Sequence, residues 1–415
     1  MNIKELLLIG SLIISVLTVE AQILKKIESK INQRVNRTTE KVIDKGLDKI
    51  EEEIKNSTKN KSTSNPTNSS PQNSSSKPKS EAFVQSKFDF IPGDKVLFFD
   101  DFQLINLGDF PIRWNTNNNG EIVSLSNQEG KWLRIPDNTI SFPELSSSLP
   151  ENFTVEFDLL YPENGLRPPV TFGFSEIENL AKEKIQYKPL FFFIISPILK
   201  QSIGYSTSMY SGKEITQEWP VQEHINKPIH VSIAVNSKRI RLYMDEEKSF
   251  DLPRGFDQPT YRNNFHFRSS TILPKPTDAF YISNIRIAES SIDIRSSLEN
   301  EGKFSTSGIY FELGSAILKP ESHGILKEIA GILQQQPNLR LKVIGHTDNT
   351  GQPTNNLTLS LKRAESVASY LKQQFQVEDV RLEVSGEGDS KPIAANSTTE
   401  GRAQNRRVEF IRLDK

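Results

Sequence analysis

The sequence predicts a multidomain protein with an all-β sandwich over residues 88–292, followed by a smaller α/β sandwich domain over residues 300–415. Residues 88–292 carry short apolar and aromatic runs separated by Asn, Gly and Pro, which is typical of antiparallel strands. Residues 300–415 alternate strand-like and helix-like apolar patterns, which indicates a sheet with crossover helices. A chain of 415 residues is long enough for two or three such domains.

The net charge and the absence of cysteine exclude several classes of function. The formal net charge of −1 implies no strong attraction to nucleic acid or to anionic lipid. The absence of cysteine excludes disulfides, cysteine nucleophiles, thiolate metal sites and a lipoprotein anchor attached to cysteine. We expect no cofactor and no structural metal site, but the composition does not exclude calcium bound by carboxylates of the sandwich.

The first 21 residues predict a secretory signal peptide. An almost wholly apolar run extends from Leu6 to Val19, and small residues follow at the spacing for cleavage before Gln22. The alternative is a membrane anchor, but about 14 apolar residues fall short of the roughly 20 that span a bilayer. We therefore expect cleavage and no transmembrane segment in the mature chain.

Two segments lie between the signal and the sandwich. Residues 22–56 place an apolar residue every three or four positions, which predicts an amphipathic helical segment. It forms either a short coiled coil or docking helix, or a semi-ordered spacer, because Arg37 to Glu40 interrupts the stripe. Residues 57–81 have almost no apolar content and cannot offset the entropy of ordering, so we predict a disordered linker over residues 57–87.

Nine strands of the sandwich are predicted from apolar and aromatic runs. These runs are Val96–Phe99, Trp132–Ile135, Phe153–Tyr161, Val170–Phe174, Leu190–Ile195, His230–Val235, Ile240–Met244, Asn264–Phe267 and Phe280–Ile287. The opening Asp100-Asp101-Phe102 with Trp114, the hairpin Arg239–Lys248 and the closing Phe280–Ile287 resemble concanavalin-like (laminin-G-like) jelly-roll domains. That resemblance implies a module that binds a glycan or a protein.

One strand of the sandwich raises an enzymatic alternative. Glu156 and Asp158 resemble part of the E-x-D-x-x-E strand of jelly-roll glycoside hydrolases, whose carboxylates alternate on one face. Tyr161 replaces the third carboxylate, and solvent-facing residues of an ordinary strand explain the pattern equally well. The tryptophans are either sugar-stacking platforms or core residues: Trp114, Trp132 and Trp219.

The C-terminal domain is predicted to contain four strands and two helices. The strands are 308–312, 340–345, 381–387 and 407–413, and the helices are 320–335 and 357–374. Asp348 follows the second strand, and Arg363 lies fifteen residues later in the second helix. A carboxylate can hold an ammonium and a guanidinium can grip a carboxylate, so the pair suits a ligand that carries both groups. The alternative is an intradomain salt bridge without a ligand.

Three stretches resemble the C-terminal peptidoglycan-binding domain of the OmpA family. They are Gly345–Gly351 (GHTDNTG), Leu359–Ala364 (LSLKRA) and Glu400–Glu409 (EGRAQNRRVE). The resemblance implies that Asp348 takes the ammonium, and Arg363 the carboxylate, of diaminopimelate in a peptide stem. It also implies that the binding site includes Thr347, Asn349, Thr350, Gly351, Asn356 and Arg406.

The residues around this pair carry further expectations. Gly351 should allow a positive φ, and Asn355 or Asn356 should cap the following helix. The N-terminus of that helix should add N–H donors for the bound carboxylate. One of Arg406 and Arg407 should pair inside the domain while the other approaches the ligand.

These observations predict a non-enzymatic envelope protein, secreted to the periplasm and associated with the outer membrane or cell wall. It would bind peptidoglycan and tether the sandwich to the wall, and the sandwich would bind a glycan or an envelope protein. One alternative is a glycan- or wall-degrading enzyme that uses the C-terminal domain for targeting. Another is a scaffold whose sandwich binds only proteins.

Overall fold

The computed structural model describes residues 88–162, 169–177, 190–207, 215–269, 279–291 and 293–413. The predicted signal peptide, helical segment and linker lie outside these residues. The strands are β1 (Lys95–Asp100), β2 (Trp114–Thr116), β3 (Glu121–Val123), β4 (Trp132–Pro136), β5 (Ile140–Pro143), β6 (Asn152–Leu160), β7 (Val170–Ser175), β8 (Leu190–Ile195), β9 (Ile203–Ser206), β10 (Ile215–Gln217), β11 (Ile229–Asn236), β12 (Arg239–Met244), β13 (Glu247–Leu252), β14 (Asn264–Ser269), β15 (Ala279–Glu289), β16 (Lys303–Thr306), β17 (Leu341–His346), β18 (Leu382–Gly388) and β19 (Val408–Arg412). The main helices are α1 (His323–Gln335), α2 (Pro353–Phe375) and α3 (Thr399–Asn405). Shorter helical turns occupy Val221–His224, Pro259–Arg262, Ile294–Ser296, Ser297–Glu301, Pro320–Ser322 and Asp379–Arg381.

Strands β1 to β15 form two facing antiparallel sheets. The first sheet has the order β13-β12-β11-β6-β15-β4-β3, with β1 also paired to β15. The second has the order β10-β9-β8-β7-β14-β5-β2. Phe157 on β6 meets Phe172 on β7 and Phe267 on β14 between the sheets, with ring centroids 5.1 and 4.8 Å apart. The predicted β-sandwich is therefore confirmed.

All nine predicted runs of the sandwich are strands, and six further strands lie outside these runs, of which β13 begins inside the predicted hairpin Arg239–Lys248. Four of the additional strands, β2, β3, β10 and β13, lie at the outer edges of the two sheets. Edge strands pair on one side only and tend to be short or charged. The sequence EKSFDL of β13 illustrates this, because its apolar residues are too few to mark a strand.

The C-terminal domain contains a four-stranded sheet in the order β16-β19-β17-β18. Strands β17 and β18 are parallel and are connected through α2, as the strand–helix–strand pattern predicted. Helix α1 buries Ile325, Leu326, Ile329 and Leu333 in a core that also takes Val367 and Leu371 from α2. None of the helices within the described ranges combines the length and apolar character that crossing a membrane requires.

The first predicted strand of this domain, 308–312, is wrong. The sheet uses β16 instead, where Phe304 pairs with Phe410 of β19. The following segment leaves the sheet, and Phe311 makes only an isolated bridge to Leu318. Gly308 passes so close to the sandwich that an added Cβ would lie 2.7 Å from Pro92. Segment 308–312 therefore follows the surface of the sandwich, and the periodicity of its own residues does not contain this contact.

The sandwich and the α/β domain share a buried polar interface. Arg286 on β15 donates to Glu156 on β6 at 2.9 Å and to the Ser307 hydroxyl at 3.0 Å. The Tyr310 hydroxyl donates to the other oxygen of Glu156 at 2.8 Å. The side chains of Arg286 and Glu156 are only 5% and 2% exposed. Residues of the α/β domain therefore cover the outer face of the first sheet.

Candidate functional site

Asp348 lies in the loop that follows β17, with its side chain mostly buried. One carboxylate oxygen accepts from the backbone N–H of Thr350 at 2.9 Å, and the other accepts from Arg406 Nη1 at 2.7 Å. Burial raises the pKa of this carboxyl, but the hydrogen bonds from Arg406 and Thr350 outweigh burial and hold the pKa below its usual range. Asp348 is therefore a charged carboxylate at neutral pH.

The loop around Asp348 is fixed by its neighbours. Gly351 has a φ of 91°, so the expected positive φ is confirmed. Asn356 is buried, and its side-chain amide donates to the Asp348 carbonyl at 3.3 Å. The Thr347 hydroxyl is buried and lacks a hydrogen-bond partner within the described part of the chain. The remaining candidates from the sequence, Asn349 and Thr350, are exposed to solvent.

Helix α2 packs closely against the sheet, and this brings Arg363 toward the loop that carries Asp348. An added Cβ on Gly345 would lie 2.1 Å from the Ser360 carbonyl oxygen, so only glycine allows this packing distance. Gly345 precedes Asp348 by three residues, and Ser360 precedes Arg363 by three residues. The glycine therefore helps to bring the acid and the base into one region.

Arg363 is half-buried and is oriented by two contacts. Its Nε donates to the Ser315 carbonyl at 2.9 Å, and its guanidinium carbon lies 4.9 Å from the ring centroid of Phe311. Burial and the positive charge of Arg406 together lower the pKa of Arg363 to about 10, although the negative charge of Asp348 opposes them. The Nη donors have no hydrogen-bond partner among the described residues. Arg363, which is predicted to hold a carboxylate, therefore keeps its Nη groups free to donate hydrogen bonds.

The start and the capping of α2 differ from the prediction. The helix begins at Pro353, a turn earlier than predicted, because proline suits the first helical position although the apolar pattern starts later. Gln352 is the cap residue and makes no side-chain capping bond, so neither Asn355 nor Asn356 caps the helix. Arg363 lies ten residues further on, about 15 Å along the axis. A donor role of the terminal N–H groups toward a bound carboxylate stays a prediction.

Both neighbouring arginines pair inside the domain, whereas the sequence predicted this for one of them. Arg407 is buried and donates to Glu409 through Nε at 3.0 Å and Nη2 at 2.6 Å. Arg406 remains 33% exposed and pairs with Asp348. The intradomain salt bridge therefore exists, but Arg406 and not Arg363 is the partner of Asp348. Buried Asn405 accepts hydrogen bonds from the backbone N–H groups of residues 393 and 394 and so fixes the adjacent loop.

Glu156 and Asp158 do not face solvent, which corrects that expectation. Glu156 is held by Arg286 and Tyr310, as described above, and Asp158 accepts from Asn284 and His230, each at 2.7 Å. The residues of the α/β domain that cover this sheet could not be identified from the strand pattern alone. Both carboxylates are engaged inside the protein, so this strand offers no open acid–nucleophile pair.

The three tryptophans are buried, with exposures between 3% and 7%, so their interpretation as open sugar-stacking platforms is wrong. Trp114 donates its indole N–H to Asp100 at 3.1 Å and packs in the core. Trp219 stacks on His224 and forms part of the lining of a surface cavity of about 350 Å³, together with Leu199 and Lys200. Among the described residues, no group of three or more His, Asp or Glu side chains is arranged to hold a metal ion.

Three residues that orient the candidate arginines had not been predicted. Phe311 and Ser315 contact Arg363, and Phe99 of the sandwich lies against Arg406. No local pattern marks Phe99, because it belongs to another domain.

Residues 310–406 match the OmpA family. This segment is an OmpA family domain. The chain is 46% identical over 102 residues to the probable lipoprotein YiaD of Escherichia coli (strain K12), covering 25% of this chain and 46% of that protein. It is 42% identical over 103 residues to the peptidoglycan-binding protein ArfA of Mycobacterium tuberculosis (strain ATCC 25618 / H37Rv), covering 25% of this chain and 31% of that protein.

A solved structure, the peptidoglycan-associated lipoprotein from Burkholderia pseudomallei, is 30% identical with a TM-score of 0.24 and covers 26% of this chain and 89% of that chain. The chain spans less than half the length of the two curated relatives.

Proposed function

We propose that this chain binds peptidoglycan non-covalently through its OmpA family domain and tethers the sandwich to the cell wall. The observation that carries the proposal is the grouping of Asp348, Arg363 and Arg406: Arg406 donates to Asp348 at 2.7 Å, and the charges of both residues act on the pKa of Arg363. The name of one relative, a peptidoglycan-binding protein, supports the same ligand.

The ligand group is diaminopimelate of the peptide stem, whose side chain ends in an ammonium and a carboxylate. Arg363 has unpaired Nη donors that can hold the carboxylate through two parallel hydrogen bonds. Asp348 is charged, and each of its oxygens can accept a further hydrogen bond from the ammonium. Arg406 adds a second cation beside both groups and favours an anionic partner.

The neighbouring residues have separate roles in this proposal. Thr347 has a buried hydroxyl without a partner among the described residues, and Asn349 and Thr350 offer exposed hydrogen-bonding groups. Gly351 and Asn356 shape the loop that presents Asp348.

The sandwich, over residues 88–292, is proposed to be a concanavalin-like binding module for a glycan or an envelope protein. Its two large antiparallel sheets support the comparison, and the cavity beside Trp219 is a candidate place for such a ligand. We propose that the protein has no enzymatic role and is secreted to the periplasm, where it associates with the outer membrane or cell wall. The engagement of Glu156 and Asp158 within the protein supports the non-enzymatic role.

Co-sedimentation of the full-length chain with diaminopimelate-type sacculi tests the proposal. The wild-type chain is expected to pellet, and Arg363→Ala is expected to stay in solution. Lys362→Ala is the matched control, because it removes an exposed cation from the adjacent position of the same helix. Circular dichroism should show intact helices in both variants, since alanine favours helix. Pelleting of Arg363→Ala at the wild-type level would contradict the proposal.

A further inference from the structure

Arg406 lies at the boundary between the two domains. Its Nη1 donates to Asp348 at 2.7 Å, while its guanidinium carbon lies 5.1 Å from the ring centroid of Phe99. Phe99 belongs to β1 of the sandwich. One cation therefore contacts both the candidate ligand site and the neighbouring domain, and the face of an aromatic ring attracts a guanidinium electrostatically.

Strand β1 is also fixed against the helix that leads to Arg406. The backbone N–H of Phe99 donates to Glu400 Oε1 at 3.1 Å. Arg113 donates to the same oxygen at 2.5 Å and to the Thr399 hydroxyl at 2.8 Å. Thr399 and Glu400 open α3, and Arg406 directly follows its last residue. The sandwich thus contacts both ends of this helix.

The contact between Phe99 and Arg406 is partly shielded from water. Phe99 is half-buried, two thirds of the Arg406 side chain is covered, and Asp348 is covered further. Interactions between a cation and an aromatic face strengthen when water is excluded. The ring covers one face of the guanidinium while Asp348 takes a donor at its edge. Together the two contacts restrict the orientation of the side chain.

We propose that Phe99 is a positioning residue for the ligand site, so that the sandwich holds Arg406 against Asp348 and the site depends on both domains. The effect on ligand affinity rests on the proposed function, whereas the positioning of Arg406 does not. The sandwich then has a role in wall binding besides any ligand of its own.

The test compares full-length Phe99→Leu, Phe99→Tyr and Tyr310→Phe with the wild type. Leucine keeps the apolar bulk but removes the aromatic face, and tyrosine retains that face. Tyr310→Phe is the matched control, because it removes a hydrogen bond between the domains at Glu156. The first measurement is the pKa of Asp348 by carboxyl NMR, which needs no ligand. The second is the dissociation constant for a soluble stem peptide containing diaminopimelate.

Phe99→Leu is expected to raise the pKa of Asp348 by about half a pH unit, because Arg406 is held less firmly against it. The dissociation constant should rise about threefold. Phe99→Tyr and Tyr310→Phe should keep wild-type values of both. An unchanged pKa in Phe99→Leu would overturn the inference. An equal shift in Tyr310→Phe would also overturn it, since general loosening of the interface would then explain the effect. If the pKa shifts while the wild type binds no stem peptide, the proposed function fails and the positioning role stands.

Discussion

The buried pair of Arg286 and Glu156 provides a quantitative test of the domain interface. Arg286→Met should lower the free energy of unfolding by about 3–5 kcal/mol, because it leaves a buried carboxylate without its counter-charge. Methionine occupies much of the same space but replaces none of the hydrogen bonds that Arg286 donates, which include one to the Gly93 carbonyl at 2.6 Å. Among the described residues, Glu156 would then retain the Tyr310 hydroxyl as its side-chain donor.

Two further variants isolate the effect of burial. Arg239→Met removes a pair in which Arg239 donates two hydrogen bonds to Asp251, at 2.7 and 2.6 Å, but the side chains are 48% and 28% exposed. Solvent screening should limit that cost to below about 1 kcal/mol. Combining Glu156→Gln with Arg286→Met should recover most of the loss, because no charge is then left buried.

Urea unfolding followed by tryptophan fluorescence provides the assay, since all three tryptophans lie in the sandwich. The midpoint and slope of each curve give the free energy of unfolding. If Arg286→Met costs no more than Arg239→Met, the account of a water-excluded ion pair at the interface is wrong.

Four other substitutions have expected outcomes. Asp348→Asn should weaken binding of the stem peptide about tenfold, because the ammonium loses a charged partner; unchanged affinity in a titration would make Asp348 structural. Burial lowers the pKa of His230, but the hydrogen bond and charge of Asp158 raise it to about 9, above the ordinary 6.5. The protonated histidine therefore stabilises the fold fully below pH 6.5, and this contribution is lost as the pH rises through 9. His230→Gln should reduce that decline in the urea midpoint, and an identical profile would count against the assignment. Gly345→Ala should destabilise the C-terminal domain, because the added Cβ would lie 2.1 Å from the Ser360 carbonyl oxygen. Gly331 on α1 faces open space, so Gly331→Ala should stabilise the domain by up to about 1 kcal/mol. Circular dichroism during thermal unfolding would distinguish the two variants, and equal effects would contradict the packing argument.

The sequence predicted the parts of the fold whose apolar pattern repeats locally. The long run Phe153–Tyr161 and the helical stripe of α1 are examples, because burial of one face requires a period that can be read from neighbouring residues. Glu156 and Asp158 show the limit of this reasoning. The period of a strand identifies two faces but does not reveal that residues from another domain cover the outer one.

The candidate site divides in the same way. The positive φ of Gly351 and the position of Asp348 in the loop were predictable, because the glycine and the acid lie within a few residues of each other. The pairing of Asp348 with Arg406 joins residues 58 positions apart, and the sequence had suggested Arg363 as the other member of the pair. The approach of Phe99 was beyond local reasoning, since it depends on how β1 packs against α3. Tertiary contacts of this kind determine which of two nearby arginines keeps free donors.

The most direct test of the central claim is a calorimetric titration of the full-length chain with two soluble stem peptides. One peptide contains diaminopimelate, and the other has lysine at that position, which keeps the ammonium and lacks the neighbouring carboxylate. The account predicts that the diaminopimelate peptide binds at least about tenfold more tightly, because only it offers a carboxylate to Arg363. Equal affinities for the two peptides, or binding of neither, would contradict the proposed roles of Arg363 and Asp348.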